Sequence, residues 1–584
     1  MIPVRLKRVV AAVSALALTG GLLQLGGSVA AAKSTTFSPA AEAKKMDAIA
    51  TPKLGWYACY GYAECATVKV PRDYDRPKGA QVELALLRVK ARDQKHRIGS
   101  LFVNPGGPGG SATDLAYFSS EIFSPAITNR FDVVGLDPRG IAFSQNVTCF
   151  SSARAQAPAL VPHQTSSFPI TRAQEKAWLK ADRAEGKACS TTALAKSMST
   201  AEVARDMELM RRAVGDKKLS YIGFSYGSYL GQVYANMFPN RFRSLVIDGV
   251  IDPLAWAGTP GNQRQPLELR LRSSVGAWKA MRDILVRCDQ AGGSVCSFAP
   301  GDPVANFALI AHRLRTHPMV EVDPFTGATY TFGYSDFVGL MLGLLYDPAG
   351  YEYITEFLSE LIIITEPPAK TAAAAQAAKK TDAKAEFAQL RRATKDRVTP
   401  PRFGFPYDNS LDAFASVTCT DSTETTKQAN FPAFAAQADQ RAPYFGRAWL
   451  WGTSVCAGDA FTGNDEDAFT GPFTQRTAAT VLVVGNYWDP ATNYDGAKHA
   501  AALLPNSRLL SSNSWGHTAY ATQSSACVTS AVDAYLLKGT VPAKGKVCQG
   551  DIQPFRSDPE QLSVNAARQQ ALRQRLTTGA TLTR

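Results

Sequence analysis

The segment Leu219-Ser-Tyr-Ile-Gly-Phe-Ser-Tyr-Gly-Ser-Tyr-Leu-Gly231 constrains this chain more than any other. A short apolar run suited to a buried strand leads into Gly223-x-Ser225-x-Gly227 and directly into a helical pattern over 226–238. A strand that must become a helix within one residue forces its serine into a strained backbone, and the flanking glycines keep Cβ atoms clear of that turn. The Ser225 hydroxyl is then expected at the carboxyl edge of a sheet and at a helix N-terminus, whose dipole favours developing negative charge. In a chain of 584 residues with 44 glycines the five-residue pattern alone is weak, and the strand before it and the helix after it give it weight.

Similar short apolar runs lie at 99–103, 131–136, 244–247 and 480–484, preceded by an alternating, half-exposed run at 81–90 and followed by one at 508–511. Helical patterns at 200–214, 226–238, 495–504 and 527–537 separate them. That alternation predicts an α/β fold with a mostly parallel sheet covered on both faces. Between residues 247 and 480 the strand rhythm stops, and helical stretches near 266–288, 306–316 and 335–365 predict a large inserted cap. The expected organisation is a leader at 1–32, a linker or propeptide without structure at 33–52, a first core part at 53–252, the cap at 253–475, a second core part at 476–550 and a peripheral tail at 551–584. Within the cap, 367–396 is an Ala/Lys-rich stretch with little to bury.

The leader carries the compartment signal: basic Arg5, Lys7 and Arg8, an apolar run over 9–25, then small residues ending at Ala32. This is the pattern of a secretory signal peptide, and no other segment approaches eighteen continuous apolar residues, so no integral membrane segment is expected after its removal. The ten cysteines fit export. None sits in a CxxC or Cys/His metal pattern, and sequential pairing (59–65, 149–189, 288–296, 419–456, 527–548) closes the shortest loops. Hydrophobic residues at 45% exclude a disordered chain, and the net charge of +13, partly in the leader, comes without a basic run interleaved with aromatics, so no nucleic-acid partner is expected. Neither a metal nor an organic cofactor is expected; oligomeric state is open, with a monomer as the default.

A serine nucleophile needs a base and an acid further along the chain. Of six histidines, His96 and His163 precede Ser225, His312 and His317 fall in the cap, and His499 sits in a helical pattern where a surface imidazole is the plain reading. His517, in a glycine-containing loop after the last strand, is the candidate base. Asp489, just past the run at 480–484, is the candidate acid, although an Asp-Pro turn also explains it; Asp495, Asp248 and Asp252 are the alternatives. The loop Asn104-Pro-Gly-Gly-Pro-Gly-Gly110 follows an earlier strand, and its bare backbone can complete an oxyanion hole with the Tyr226 amide. Gly107-x-Gly109-x-x-Ala112 also satisfies a dinucleotide fingerprint formally, but Pro105 and Pro108 stiffen the place where pyrophosphate would sit.

Asn104-Pro-Gly-Gly-Pro-Gly-Gly110, Asp137-Pro-Arg-Gly140, the elbow at 223–231, Cys419-Thr-Asp421, Asp489-Pro-Ala-Thr-Asn-Tyr494 and Gly516-His517 together resemble the secreted α/β-hydrolase peptidases of actinobacteria, the tripeptidyl aminopeptidases related to proline iminopeptidase. The resemblance spans most of the mature chain. It implies an α/β-hydrolase fold with a mainly helical cap inserted before the penultimate core strand, and a serine exopeptidase acting on peptide substrates with free N-termini. It also implies Gly107 as the second oxyanion donor and a structural role for Asp137-Pro-Arg-Gly140. Where that family carries an amine-binding glutamate before Cys-Thr-Asp, this chain has Thr418, which leaves Thr418 and Asp421, with Asp412 and Asp459, as the residues around the amine site. An esterase or lipid hydrolase of the same fold is the alternative, followed by a binding module without catalysis.

Overall fold

The computed structural model of the protein describes residues 37–322, 329–366 and 407–556. The expected leader, the Ala/Lys-rich stretch 367–396 and the tail beyond residue 556 lie outside the described residues. The strands are β1 (Tyr57–Cys59), β2 (Ala63–Pro71), β3 (Gln81–Val89), β4 (Gly99–Asn104), β5 (Phe131–Leu136), β6 (Leu219–Phe224), β7 (Phe242–Asp248), β8 (Met319–Val322), β9 (Thr329–Phe332), β10 (Val481–Trp488), β11 (Ser507–Trp515) and β12 (Val547–Gln549). All but β8 and β9 join one sheet, in the order β1-β2-β3-β5-β4-β6-β7-β10-β11-β12. Pairing is antiparallel from β1 to β5 and parallel from β5 to β12.

Every residue of β4, β5 and β6 is buried. They read as unbroken apolar runs because helices cover both faces. On one face Ala116, Val528, Val532 and Leu536, from helices Ala112–Tyr117 and Ala526–Lys538, pack with Leu101, Val103 and Ile222. The register then fixes where the chemistry can lie. Phe224 pairs with Asp248, and Asp248 with Val484, so the ends of β6, β7 and β10 are brought to one edge.

Helix Thr200–Ala213 is buried along most of its length despite its charges. Arg139, fully buried, donates to Asp206 (2.7 and 2.8 Å) and pairs with Glu202 at 3.1 Å. Arg205 bridges Glu202 (2.8 Å) and Glu42 (2.7 Å). Each buried acid here has a guanidinium partner, the condition under which buried charge is tolerated. Asp137, two residues before Arg139, accepts from Ser111, Thr113 and Phe143 and so ties the end of the glycine-rich loop to its neighbour.

Several boundaries differ from expectation. The stretch expected as unstructured linker carries helix Pro39–Asp47, capped by Ser38 and docked through buried Met46, Glu42 on Arg205 and Asp47 on Arg241. Only Glu42 and Met46, one turn apart, are buried there, too narrow a stripe to stand out in a small, charged sequence. The cap is not one insertion. Helices Ala153–Thr165 and Arg172–Thr191, inside the expected first core part, frame Phe168 and Trp178, which pack in one cluster with Met281, Phe307, Phe337 and Trp451. Trp178 Nε1 donates to the Trp451 carbonyl at 3.3 Å. The cap also contains the β8–β9 hairpin. Finally, β12 follows β11, so the main insertion precedes the third strand from the end, not the penultimate one. A three-residue edge strand is too short to leave a periodic signal.

The five disulfides join the cysteines in sequential order, as expected. None is left free among the described residues.

Candidate active site

Ser225 ends β6 and begins helix Tyr226–Met237 with φ 56° and ψ −123°, a backbone region that a non-glycine residue occupies only under constraint. Its amide donates to the Asp248 carbonyl at 3.0 Å, and its own carbonyl accepts from Ser228 N at 2.8 Å. The glycines of the motif are required by close approach. A Cβ on Gly227 would lie 2.7 Å from the Asn104 carbonyl oxygen, and one on Gly223 would collide with the Gly227 carbonyl.

The glycine-rich loop presses on this turn. At Gly106, with φ 96°, a Cβ would meet Phe224 O at 2.5 Å, Ser225 Cβ at 2.8 Å and Tyr226 N at 2.8 Å. The Gly106 amide is spent on Asn104 Oδ1 at 2.9 Å. The amides of Gly107 and Tyr226 meet no acceptor among the described residues. Two unpaired backbone donors beside a serine are the parts of an oxyanion hole. Pro108, directly after Gly107, leaves the loop without the continuous row of donors that a pyrophosphate site uses.

His517 stands across the next loop. Its Nδ1 is 2.9 and 3.0 Å from the two carboxylate oxygens of Asp489. A Cβ on Gly249, the residue after Asp248, would lie 3.2 Å from His517 Cε1. Ser225 and His517 thus flank the same two-residue step at the end of β7. Asp489, essentially buried, also accepts from Ala491 N, Thr492 N, Thr492 Oγ1 and Thr518 N. Burial pulls the His517 pKa down, but the charge of Asp489, its hydrogen bond and the more distant Asp248 together raise it above the usual value. That is the balance wanted in a base that must hold a proton briefly.

The alternatives to this pair have other work. Asp248 accepts from Ala519 N and Tyr520 N, and burial pushes its carboxyl up to about 6. Asp252 caps helix Pro253–Ala257 and meets His499 at 2.7 Å, while Asp495 pairs with Lys498 on the surface. Two contributions from the cap could not be read in the sequence: the Tyr346 carbonyl accepts from His517 N at 3.0 Å, and its ring stands edge-on 5.0 Å from the imidazole. Nothing local marks Tyr346. Nor does any sequence signal mark Asn486, whose Nδ2 donates to the carbonyls of Gly516 and Thr518 and braces the histidine loop.

The three acids expected around an amine site are engaged elsewhere. Asp421 accepts from Thr200 N (2.7 Å), Thr200 Oγ1 and Trp256 Nε1 (3.2 Å), and Thr200 Oγ1 in turn meets the Tyr226 hydroxyl. It buttresses the elbow from behind, and burial pushes its carboxyl up to about 7. Thr418 is fully buried one turn before it, with Oγ1 lacking a partner among the described residues. Asp412 is held by Cys149 N, Tyr407 and Gln156, and Asp459 accepts from Gln428 N. Among acids, Glu268, also buried, keeps Oε2 without a partner among the described residues; burial pushes its carboxyl up to about 8, although a hydrogen bond from Ser273 opposes the rise.

Comparison with known proteins agrees with this architecture. The family model for the alpha/beta hydrolase fold matches residues 99–272, and that for TAP-like proteins matches 442–548. The chain is 29% identical over 521 residues to the serine protease Hip1 of Mycobacterium tuberculosis, covering 86% of this chain and 92% of that protein. It is 27% identical to the tripeptidyl aminopeptidase of Streptomyces lividans, over 84% of each. With a protein named carboxylesterase B of Mycobacterium tuberculosis it shares 30% identity over 547 residues, 91% of this chain and 97% of that one. The chain is a hydrolase and belongs to the alpha/beta-hydrolase family, with a TAP-like C-terminal region.

Proposed function

We propose that this protein is an exported serine exopeptidase that releases short peptides from free N-termini through an acyl-enzyme. The observation that carries the reading is the arrangement of the Asp489–His517 pair and Ser225 around the Asp248–Gly249 step, with two unpaired amides alongside. His517 takes the Ser225 hydroxyl proton as Oγ bonds to the substrate carbonyl carbon. The amides of Gly107 and Tyr226 receive the oxyanion, and His517 returns the proton to the departing amine. Water then attacks the ester by the reverse sequence, freeing the acyl fragment and Ser225. Asp489 holds the imidazole tautomer and stabilises the cation without taking its proton.

Export is supported by the leader pattern, by five disulfides and by the finding that no helix among the described residues is long and apolar enough to cross a membrane. Peptide substrates are supported by the relatives named serine protease and tripeptidyl aminopeptidase. For the substrate ammonium we infer Glu268 in place of Thr418 and Asp421: its carboxyl, held up to about 8 in the empty site, gives up its proton when an ammonium docks beside it. Its unpaired oxygen lies within electrostatic reach of Tyr346, which flanks His517. It also bonds Ser273, whose helix touches the Asp489 carbonyl through Gly276. The test is kcat/KM for matched free and N-acetylated tripeptidyl amides. Acetylation is expected to cost about 30- to 1000-fold, the worth of a buried charge-assisted contact, and Glu268→Gln to remove most of that difference. Equal values in the wild type would favour the second reading, an esterase, which rests on the relative named carboxylesterase B.

A further inference from the structure

One cavity is lined by none of the serine-centre residues. It is a groove of about 380 Å³ between the segment 252–272, Arg441 at the end of helix Phe431–Arg441, and His499 on helix Tyr494–Leu503. Its charged lining is lopsided: Arg270, Arg272, Arg441 and His499 face a single acid, Asp252. That acid is already committed, to the amides of Leu254 and Ala255 and to His499 Nδ1.

Arg270 is the unusual member. It is only 8% exposed, yet it makes no ion pair among the described residues. Its guanidinium donates to the Thr423 carbonyl at 3.0 Å and to Ser422 Oγ, and Nε has no acceptor. The place is shaped for it: Gly258, with φ 79°, faces the guanidinium so closely that any Cβ there would collide with it. A buried cation without a carboxylate partner is costly, and a fold usually supplies the missing anion. Two acids are within electrostatic reach but not bonded to it. Glu268 lies two positions back on the short helix Leu267–Leu271, about 200° around the axis. Glu424 is bound instead to Leu267 N. Burial pushes these carboxyls up to about 8 and 7, and neither forms a hydrogen bond with the guanidinium. Arg441 is exposed and has no hydrogen bond or ion pair among the described residues, and Arg272 has only a loose pair with Asp495 at 3.7 Å.

We propose that this groove is an accessory binding site for an oxyanion, a carboxylate or phosphate borne by a small ligand, held by Arg270 from the floor and by Arg272 and Arg441 from the rim. Guanidinium groups match oxyanions in both geometry and charge, and converging cations in a cleft concentrate anions. Asn262 and Gln265 add neutral polar groups to the wall, and the volume suits a small organic molecule. The site is independent of the peptidase reading, since none of these residues belongs to the serine centre.

The test is calorimetric titration of the full chain at constant ionic strength, with chloride as reference anion. One arm uses inorganic phosphate; the other compares N-acetyl-diglycine with its C-terminal amide. Binding is expected in at least one arm, and which arm responds distinguishes a free phosphate from a peptide-borne carboxylate. Arg441→Gln should weaken binding roughly three- to tenfold, Arg441→Gln with Arg272→Gln further, and Arg270→Lys at least as much as Arg441→Gln because it loses the forked donors. If Arg270→Lys does not fold, the two exposed arginines decide the matter. No binding in either arm, or binding that these variants leave unchanged, overturns the proposal.

Discussion

The two sides of the candidate site are built by different means. On the sheet side, Ser225, Asp489 and the glycine-rich loop sit within a few residues of strand ends, and parallel register brings them together. On the cap side, Tyr346 reaches His517 from the turn between helices Tyr334–Leu344 and Gly350–Ile364, and Gly516 packs on Pro348 of the same turn. The sheet is an over-determined frame whose errors are expected to appear in rate. The cap is a separately packed layer whose errors are expected to appear in substrate handling and in stability.

The largest effect should therefore lie at the strand ends. Ser225→Ala, His517→Ala and the double variant are each expected to lose about a million-fold in kcat, with the double no worse than either single, because nucleophile and base act as one unit. Steady-state assays with circular dichroism as a folding control measure this. Losses that multiply would separate the two residues and break the frame as described.

Asp489→Asn comes next, at about 10⁴-fold, since the amide offers the imidazole a different hydrogen bond and no charge. The pH profile sharpens the point. The base works neutral, so kcat/KM should rise with pH as His517 loses its proton, at a pKa above the usual 6.5. Removing the Asp489 charge leaves burial, which lowers the pKa, so the limb should move to lower pH in the variant. A limb that stays in place would mean that another group is titrating.

How much of this was legible in the sequence follows the same division. The buried strands β4 to β7 and β10 show themselves as apolar runs, and the elbow as a change of period across Ser225. The pairing of Asp489 with His517 follows from chain order, because both sit in loops after adjacent strands. Residues whose role depends on distant partners were not legible. The sequence offers Asp421 as a ligand for an amine, and in the fold it holds Thr200 and Trp256, more than 160 positions away. Phe168 and Trp178 lie between core strands in sequence, yet they complete the cap cluster. Tyr346 and Glu268 stand in cap segments whose local pattern says only helix.

Tyr346→Ala probes the cap side directly. The backbone bond from His517 N to the Tyr346 carbonyl survives the change, and only the edge-on ring contact is lost, worth about 1 kcal/mol. A roughly five- to tenfold fall in kcat/KM is expected, far below the sheet-side losses. A fall of thousands-fold would show that the cap, too, is part of the chemical frame.

The smallest effect concerns how the cap is attached. Around helix Thr200–Ala213 buried acids meet arginines, but Glu185, on cap helix Arg172–Thr191, meets Asp412 with Asp182 nearby. Asp182 is in turn paired with His163 at 2.9 Å, and Asp412 accepts from Tyr407. Burial, the hydrogen bond to Asp412 and the neighbouring negative charge push the Glu185 carboxyl far above its usual 4.5, so the folded protein keeps it protonated. A pKa raised on folding contributes stability that is full below the unfolded value and is lost as pH climbs toward the folded one. Melting temperature should then decline as pH rises from about 5 to 9, and Glu185→Gln, neutral at every pH, should flatten that decline. The variant is expected to match the wild type near pH 5 and to exceed it by a few °C near pH 9. Identical slopes would show that Glu185 and Asp412 share no proton in the folded chain.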